Sequence, residues 1–352
     1  MSMNNVPTVA ISDIPEMIRL SAVIGTPLII WGPPGVGKSA MVKQYAKSIN
    51  GVLVDIRLSQ YDAVDLRGLP DTSKCGTQTV WLMPSTMPFE GNDAFPDDQP
   101  VVLFLDEIMQ ASPALQAIAF QLLHPDDRCV GEHKLKSNVI VVGASNRDTD
   151  RAGVKKMLTP LANRVMHTNV ESNLDSWKEW ALGNGINPML VGFLNFRPEY
   201  LSQFEDACAS SAKAFPTERS WEAVSKVLSV EVDQRMRRLG VSAIVGEGVS
   251  AELMAFIEVA DSLPKWQQIV DNPTDVPVPS ASQRDVLCAV CSMIYARVDS
   301  QTGDKVVPYI RRLPREYQAM VVNDICRGKL KLTIQCANLQ ALSTELSNEI
   351  YS

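Results

Sequence analysis

Residues 32–39 have the sequence Gly32-Pro33-Pro34-Gly35-Val36-Gly37-Lys38-Ser39 and lie between an apolar run, Leu28 to Trp31, and a helix-like stretch from Ala40. Glycines let backbone N–H groups curl around phosphate oxygens, and a helix N-terminus that faces the phosphates adds favourable potential. Lys38 would add a positive charge, and Ser39 would supply a hydroxyl ligand for Mg²⁺. The alternative, a glycine-rich turn that ends in Lys-Ser by chance, is disfavoured by the strand and helix on either side. The segment therefore predicts a loop that binds the phosphates of a nucleotide.

The composition is that of an ordinary globular protein. The chain has 352 residues, of which 45% are hydrophobic and 21% charged, enough for one large domain or two to three modest ones. A formal net charge of -7 gives no general attraction to the phosphates of nucleic acids. The basic clusters at Arg147 to Lys156 and Arg235 to Arg238 are interpreted as solvated faces, so nucleic acid is not favoured as a partner.

The cysteines and the N-terminus indicate a cytoplasmic location. Seven cysteines at irregular spacings do not form the pattern of a disulfide framework, which fits a reducing compartment. Cys288 and Cys291 form a CxxC, but their apolar neighbours favour a buried helix face over a metal site. Neither a signal peptide nor an apolar run of roughly 18 residues is present, so we expect a soluble protein without a membrane span.

Five apolar, β-branched stretches predict a mostly parallel, buried sheet of five strands. Predicted helices lie between them, at Ser39 to Ile49 and at Pro113 to Leu123, where Ser112 is the expected N-cap. This alternation predicts an α/β three-layer domain over residues 1–170. The predicted strands are Leu28 to Trp31, Val52 to Ile56, Val101 to Leu105, Val139 to Val142 and Val165 to Val170.

Two parts of this domain are less regular. A helix over Ser12 to Ile24 could pack beside an adenine or simply cover the edge of the sheet. Residues 66–100 are too long for a tight connection and are rich in Gly, Pro and Asp, so we interpret them as an insertion. A hairpin through Thr77 to Leu82 would leave Trp81 either exposed to a substrate or neighbouring subunit, or packed back onto the domain.

From about residue 171 the pattern becomes helical. We predict an all-helical domain over residues 171–272 and a helical C-terminal region over residues 280–352, separated by a proline-rich break. The sequence leaves open whether the last region folds by itself or completes the domain before it.

The strand Val101 to Leu105 delivers two carboxylates, Asp106 and Glu107, at the edge where open α/β sheets bind ligands. Asp106 is predicted to hold Mg²⁺ in its outer shell. Glu107 is predicted to polarise the water that attacks the γ-phosphate, since phosphoryl transfer depends mainly on positioning and charge stabilisation. Together with the phosphate-binding loop, this pair predicts a nucleoside triphosphatase.

Asn146 and three arginines complete the set of candidate residues. Asn146 follows the strand Val139 to Val142, where it could bond the attacking water or the γ-phosphate, or merely cap the strand. Arg151, Arg164 and Arg219 could each stabilise the transferring phosphoryl group, and supply from a neighbouring subunit would make hydrolysis depend on assembly. Their spacing does not assign these arginines, for which a surface or ion-paired role remains open.

These features together resemble an AAA+ ATPase of the MoxR-like branch, the AAA_5-type ATPases related to dynein modules. The resemblance covers about residues 10–230. Its more specific carriers are Asp65-Leu66-Arg67-Gly68-Leu69-Pro70, Phe104-Leu105-Asp106-Glu107-Ile108, Ser112-Pro113-Ala114-Leu115-Gln116 and the Asn163-Arg164 step.

The resemblance implies a role for each part. Residues 32–39 become the Walker A motif, Asp106 and Glu107 the Walker B motif, Asn146 sensor 1, Arg164 the arginine finger and Arg219 sensor 2, with residues 171–272 as the lid. Many relatives have Asp-Arg-Phe where this chain has Asn163-Arg164-Val165, and a proline where this chain has Glu218.

The family further implies a homo-oligomeric ring, commonly a hexamer, that uses ATP and Mg²⁺ to remodel a protein client. A separate polypeptide with a von Willebrand factor A domain often acts with such ATPases. The competing interpretations are a nucleic-acid translocase or restriction-type motor, which the acidic composition disfavours, and a nucleotide-switched scaffold with little turnover, which Glu107 disfavours.

Overall fold

The protein is described by a computed structural model that covers residues 6–71, 73, 79–147, 150, 162–210, 212–261 and 263–350. The chain forms two compact units, Met1–Glu171 and Ser172–Ser352. The first unit is built around a β-sheet, and the second contains only helices among its described elements.

The sheet of the N-terminal unit has six parallel strands in the order β1-β10-β2-β9-β6-β3, and two short antiparallel hairpins accompany it. The predicted α/β class is confirmed, but the prediction of five strands is wrong by one. The extra strand, β1, pairs Thr8 with Asn169 and Val9 with Val170. Two residues are too few for a hydrophobic period to be recognised. The strands are β1 (Thr8–Val9), β2 (Leu28–Trp31), β3 (Val52–Arg57), β4 (Leu69–Pro70), β5 (Trp81–Leu82), β6 (Val101–Asp106), β7 (Cys129–Val130), β8 (His133–Lys134), β9 (Val139–Ser145) and β10 (Met166–Val170).

Helices accompany the sheet in this unit, and the predicted start of the helix at Pro113 is confirmed. They are α1 (Ile14–Ile24), α2 (Lys38–Ser48), α3 (Ala63–Arg67) and α4 (Pro113–Leu122). The Ser112 hydroxyl accepts a hydrogen bond from the Leu115 N–H, and Pro113 occupies the first turn, where a missing N–H costs nothing. In α1, Ile14 and Ile18 are buried, whereas Leu20 is exposed.

The core of the unit surrounds the middle strands. All six residues of β6 are buried, as expected for a parallel strand covered on both faces. Because β6 lies between β9 and β3, it is an inner strand of the sheet and is held by a neighbouring strand on each side. The backbone from which the residues after β6 continue is therefore held in place by strand pairing.

The insertion folds back onto the domain. The strands β4 and β5 form a hairpin in which Leu69 pairs with Leu82. The Arg67 guanidinium lies 4.4 Å from the Trp81 ring centroid, and the Trp81 N–H donates to a carboxylate oxygen of Glu132 over 2.8 Å. Half-buried Trp81 thus packs on its own domain, while Leu69 and Leu82 stay exposed; Thr77, the predicted start of the hairpin, lies outside the described residues.

The C-terminal unit has one hydrophobic core, to which residues before and after the proline-rich break both contribute. Cys288 and Cys291 are buried in this core, in agreement with the packing interpretation. In the part of the chain that the structure describes, no helix has the length and apolar character required to cross a bilayer. The helices are α5 (Leu174–Gly183), α6 (Pro188–Phe196), α7 (Phe204–Ser210), α8 (Glu218–Ser229), α9 (Gln234–Val245), α10 (Glu247–Asp261), α11 (Trp266–Asp271), α12 (Arg284–Arg297), α13 (Gly303–Ile310), α14 (Arg315–Gly328), α15 (Leu330–Gln335) and α16 (Ala337–Ile350).

A buried ion pair lies in the same unit. The Lys178 Nζ on α5 is 2.9 Å from a carboxylate oxygen of Asp324 on α14, and each side chain is less than a tenth exposed. The pair therefore connects the predicted lid to the predicted C-terminal region.

Candidate functional site

The carboxyl ends of three neighbouring strands bring the candidate residues together. Strand β9 lies between β2 and β6, with Trp31 opposite Ser145 and Leu105 opposite Gly143. The loop after β2, the acidic pair at the end of β6 and the asparagine after β9 consequently share one edge of the sheet. This is the edge at which open parallel sheets bind ligands.

The phosphate-binding loop has the backbone that its glycines predict. Gly35 and Gly37 have φ values of 89° and 102°, which other residues rarely adopt. Helix α2 then begins at Lys38, so the first N–H groups of the helix have no helical carbonyl partners and point toward the loop. An anion placed there would be met by backbone donors and by the positive end of the helix dipole.

Lys38 crosses the loop from the inside. Its Nζ donates to the carbonyls of Gly32 and Pro33 over 2.7 and 3.0 Å and to the Asn146 side-chain oxygen over 3.2 Å. The lysine is 7% exposed, so its charge is concentrated within the loop. Asn146 is thereby joined to the predicted phosphate site, although its sensor role stays a prediction.

Ser39 and Asp106 form a pair of oxygen ligands suited to Mg²⁺. The Ser39 hydroxyl donates to an oxygen of Asp106 over 3.0 Å. Hydroxyl and carboxylate oxygens are ligands that Mg²⁺ prefers, so this pair could hold the ion, Ser39 directly and Asp106 in the outer shell. Burial raises the pKa of the Asp55 carboxyl, and the negative charge of nearby Asp106 raises it further. The negative potential of Asp106 favours a cation beside it.

Glu107 is held in an unusual backbone conformation. It has φ 59° and ψ 35°, in the left-handed region, and its N–H donates to the Asp106 carboxylate over 2.9 Å. The Ser59 hydroxyl donates to the Glu107 carboxylate. The turn after β6 thus fixes the backbone of Glu107 and the Ser59 hydroxyl fixes its carboxylate, an arrangement suited to a base that must be oriented.

The candidate arginines are placed differently. Arg164 is exposed and lies two residues before β10, at the amino end of this strand. Arg219 is the second residue of α8 in the C-terminal unit and is also exposed. Arg151 lies outside the described residues. The roles of Arg164 and Arg219 stay predictions.

Sequence reasoning missed three residues of this region. Ser59 bonds Glu107, and Trp31 and His167 bond each other across β2 and β10. Trp31 and His167 are separated by 136 positions, and Ser59 precedes Glu107 by 48. No local pattern marks such pairs, because only the order of strands in the sheet brings them together.

One comparison identifies the N-terminal half. A family model described as the MoxR domain in the MoxR-vWA-beta-propeller ternary systems matches residues 4–176. Residues 4–176 are similar to a MoxR domain. The predicted resemblance to the MoxR-like AAA+ ATPases is therefore confirmed for this segment, which contains the predicted Walker A and Walker B motifs.

Solved structures give weaker likenesses. Two RuvB mutants from Thermotoga maritima are each 14% identical, with TM-scores of 0.37 and 0.33; each alignment covers 86% of this chain and 85% and 86% of theirs. NtrX from Brucella abortus, in complex with ADP, is 14% identical over 96% of this chain and 67% of its own, with a TM-score of 0.34. No curated protein matches the chain.

Proposed function

We propose that this protein is a Mg²⁺-dependent ATPase that assembles into a homo-oligomeric ring and remodels a protein partner. The observation that carries the proposal is the contact between Ser39 and Asp106, 3.0 Å apart, beside Glu107 at the same sheet edge. A loop for phosphates, a pair of oxygens for Mg²⁺ and an oriented carboxylate together are what triphosphate hydrolysis requires.

Each residue has a stated part in this reaction. Backbone N–H groups of residues 35–39 and the Lys38 ammonium would hold the phosphates. Bound Mg²⁺, held through Ser39 and Asp106, would neutralise negative charge on the phosphate oxygens. Glu107 would accept a hydrogen bond from the attacking water, and Asn146 would orient that water or the γ-phosphate.

Assembly supplies the missing positive charge. Arg164 is exposed, so a neighbouring copy can receive it as an arginine finger, and we propose a hexameric ring on the family's pattern. Arg219 is proposed to act as sensor 2 from the lid. Hydrolysis would then report on whether the ring is complete.

A protein client is favoured over nucleic acid. Leu69 and Leu82 on the β4–β5 hairpin are 59% and 54% exposed, and the net charge of the chain is -7. Apolar exposed side chains suit a protein surface, whereas phosphate backbones need clustered cations. The description of the matching family places MoxR domains with vWA proteins, which supports a von Willebrand factor A domain partner for this chain.

Single-residue variants test the site. We expect Lys38→Ala to lose ATP binding, Glu107→Gln to keep binding but lose at least about 100-fold in turnover, and Arg164→Ala to bind but not turn over. Calorimetric titration with ATP and a steady-state phosphate-release assay measure the two properties separately.

Mixing experiments test the ring. Arg164→Ala subunits combined with Lys38→Ala subunits should regain hydrolysis, because each mutant supplies what the other lacks. Hydrolysis that persists in Glu107→Gln would overturn the water-activating role. ATPase activity stimulated by DNA, with a steep loss at higher salt, would replace the protein client by nucleic acid.

A further inference from the structure

The His167 side chain lies between the phosphate-loop strand and the segment that carries Arg164. The Trp31 indole N–H donates to His167 Nδ1 over 3.0 Å, and His167 Nε2 is 2.8 Å from the Ala162 carbonyl oxygen. The Trp31 and His167 rings also stack, with centroids 6.0 Å apart. Trp31 directly precedes Gly32, and Ala162 is two residues before Arg164.

The two contacts fix the protonation of the imidazole ring. An indole nitrogen can only donate a hydrogen bond, so His167 Nδ1 must be the acceptor and carries no proton. The Nε2 atom of the neutral ring then carries the proton and donates it to the Ala162 carbonyl. Both nitrogens are used, and the ring orientation is determined by two partners from different parts of the chain.

Arg164 has fixed points on both sides. The Ala162 carbonyl is held by His167 before it, and Val165 after it is 8% exposed and packs in the core of the unit. The Met166 N–H donates to the Pro27 carbonyl over 2.8 Å, which pairs the start of β10 with the start of β2. Arg164 is therefore the exposed middle of a short, anchored turn.

We infer that His167 is a positioning residue for Arg164, through its hydrogen bond to the Ala162 carbonyl. The inference rests on the proposed role of Arg164 as an arginine finger. Since Trp31 bonds the other nitrogen, His167 links the segment that carries Arg164 to β2, the strand that ends in the phosphate-binding loop. A finger misplaced by about 1 Å is expected to cost on the order of 100-fold in rate.

Two isosteric variants separate the contacts. The Gln side chain reaches the place of Nε2, so His167→Gln keeps a donor for Ala162 and loses the acceptor for Trp31. The Asn side chain reaches only the place of Nδ1, so His167→Asn keeps the acceptor and loses the donor. We expect His167→Asn to lose about tenfold or more in turnover, with ATP affinity within about twofold of the parent protein. His167→Gln should stay within about threefold in turnover.

The matched control is His124→Asn, the same change at a half-buried histidine whose ring, among the described residues, bonds to residues of its own turn. It should hydrolyse ATP at the parent rate. Circular dichroism melts of all variants establish that the compared proteins are folded.

Mixed assemblies give a readout that a merely structural role would not change. Lys38→Ala subunits have an intact finger, so adding them to His167→Asn subunits should restore turnover, as for Arg164→Ala. Parent-level turnover in His167→Asn alone, or a loss that Lys38→Ala subunits do not restore while they restore Arg164→Ala, would overturn the inference. Parent-level turnover in Arg164→Ala itself would instead overturn the proposed finger, and the inference with it.

Discussion

Gly32 has no room for a side chain, because an added Cβ would lie 2.6 Å from the Val170 carbonyl oxygen at the end of β10. The loop can approach β10 this closely only without a Cβ, so the glycine fixes where the phosphate site sits over the sheet.

We predict that Gly32→Ala lowers the free energy of unfolding by about 1–3 kcal/mol and weakens ATP binding, since backbone atoms must move apart. Urea unfolding and ATP titration measure the two effects. Gly183→Ala is the matched control: nothing lies within 4 Å of its added Cβ, and we expect a change below about 1 kcal/mol. Parent-like ATP affinity in Gly32→Ala would show that the loop does not depend on this approach.

At the residue scale, sequence spacing predicted the residues that the structure brings together in the N-terminal unit. Lys38 contacts Asn146, and Ser39 contacts Asp106, as motifs at the ends of adjacent strands imply. His167 was not predictable in this way. Its neighbours before and after it in sequence do not distinguish a histidine that holds a loop from one that merely packs.

Helix α4 holds the turn that follows the acidic pair. The Gln116 amide is 8% exposed and donates to the carbonyls of Met109 and Ala111 over 3.3 and 3.1 Å. These carbonyls belong to the short 3-10 turn, Ile108–Gln110, and the residue after it, which directly follow Glu107. The helix thus stabilises the end of the site from below.

We predict that Gln116→Leu destabilises the protein by about 1–3 kcal/mol and lowers ATP turnover, because buried carbonyls lose their donor. The same change at the exposed Gln121, on the same helix, should leave both properties close to the parent values. Chemical unfolding and phosphate release report the two effects. Equal losses in both variants would mean that the helix tolerates leucine poorly and that the bonds of Gln116 matter little.

At the element scale, length decided what sequence could predict. The helix at Pro113–Leu122 was predictable from its N-cap, its proline and an apolar face over about three turns. The strands β1, β7 and β8 have two residues each, and their existence depends on partners that a local window does not contain. The order of the six strands likewise had no local signal.

Within the C-terminal unit, Lys178 and Asp324 carry opposite charges into an apolar core. Burial raises the pKa of the Asp324 carboxyl above its ordinary value, and the charge of Lys178 opposes that rise. A carboxyl with a raised folded pKa favours folding most below its unfolded pKa, and this contribution is lost as pH rises through the folded value.

We predict that Lys178→Met destabilises the protein by about 3–5 kcal/mol at neutral pH, because Asp324 is left buried and unpaired. The loss should shrink as pH falls from neutral toward about 4, because a carboxyl with a raised folded pKa takes up its proton above the ordinary range of an aspartate. Lys178→Met combined with Asp324→Leu should recover most of the stability. Urea unfolding between those pH values measures the effect.

Lys226→Met is the control for this prediction. Lys226 pairs with Glu222 at the surface, with its side chain 74% exposed, and such a pair contributes about 0–1 kcal/mol. A loss in Lys178→Met that does not change with pH would contradict the role given to Asp324.

At the scale of the molecule, composition and periodicity predicted an α/β part followed by helices. Which helices share a core was not predictable, since an apolar stripe tells that a face is covered but not by what. The structure places Trp177 and Leu346 in one cluster, across a break that three prolines mark in the sequence.

That shared core has a consequence for how such a gene can change. A recombination event, or a cloning boundary, placed at the prolines of residues 272–279 would divide a single hydrophobic cluster and separate Lys178 from Asp324. We therefore expect helices α5 to α16 to be exchanged between related genes as one unit. A chimera joined near residue 172 exchanges the complete C-terminal unit. A chimera joined at the prolines combines two parts of one hydrophobic core that come from different proteins.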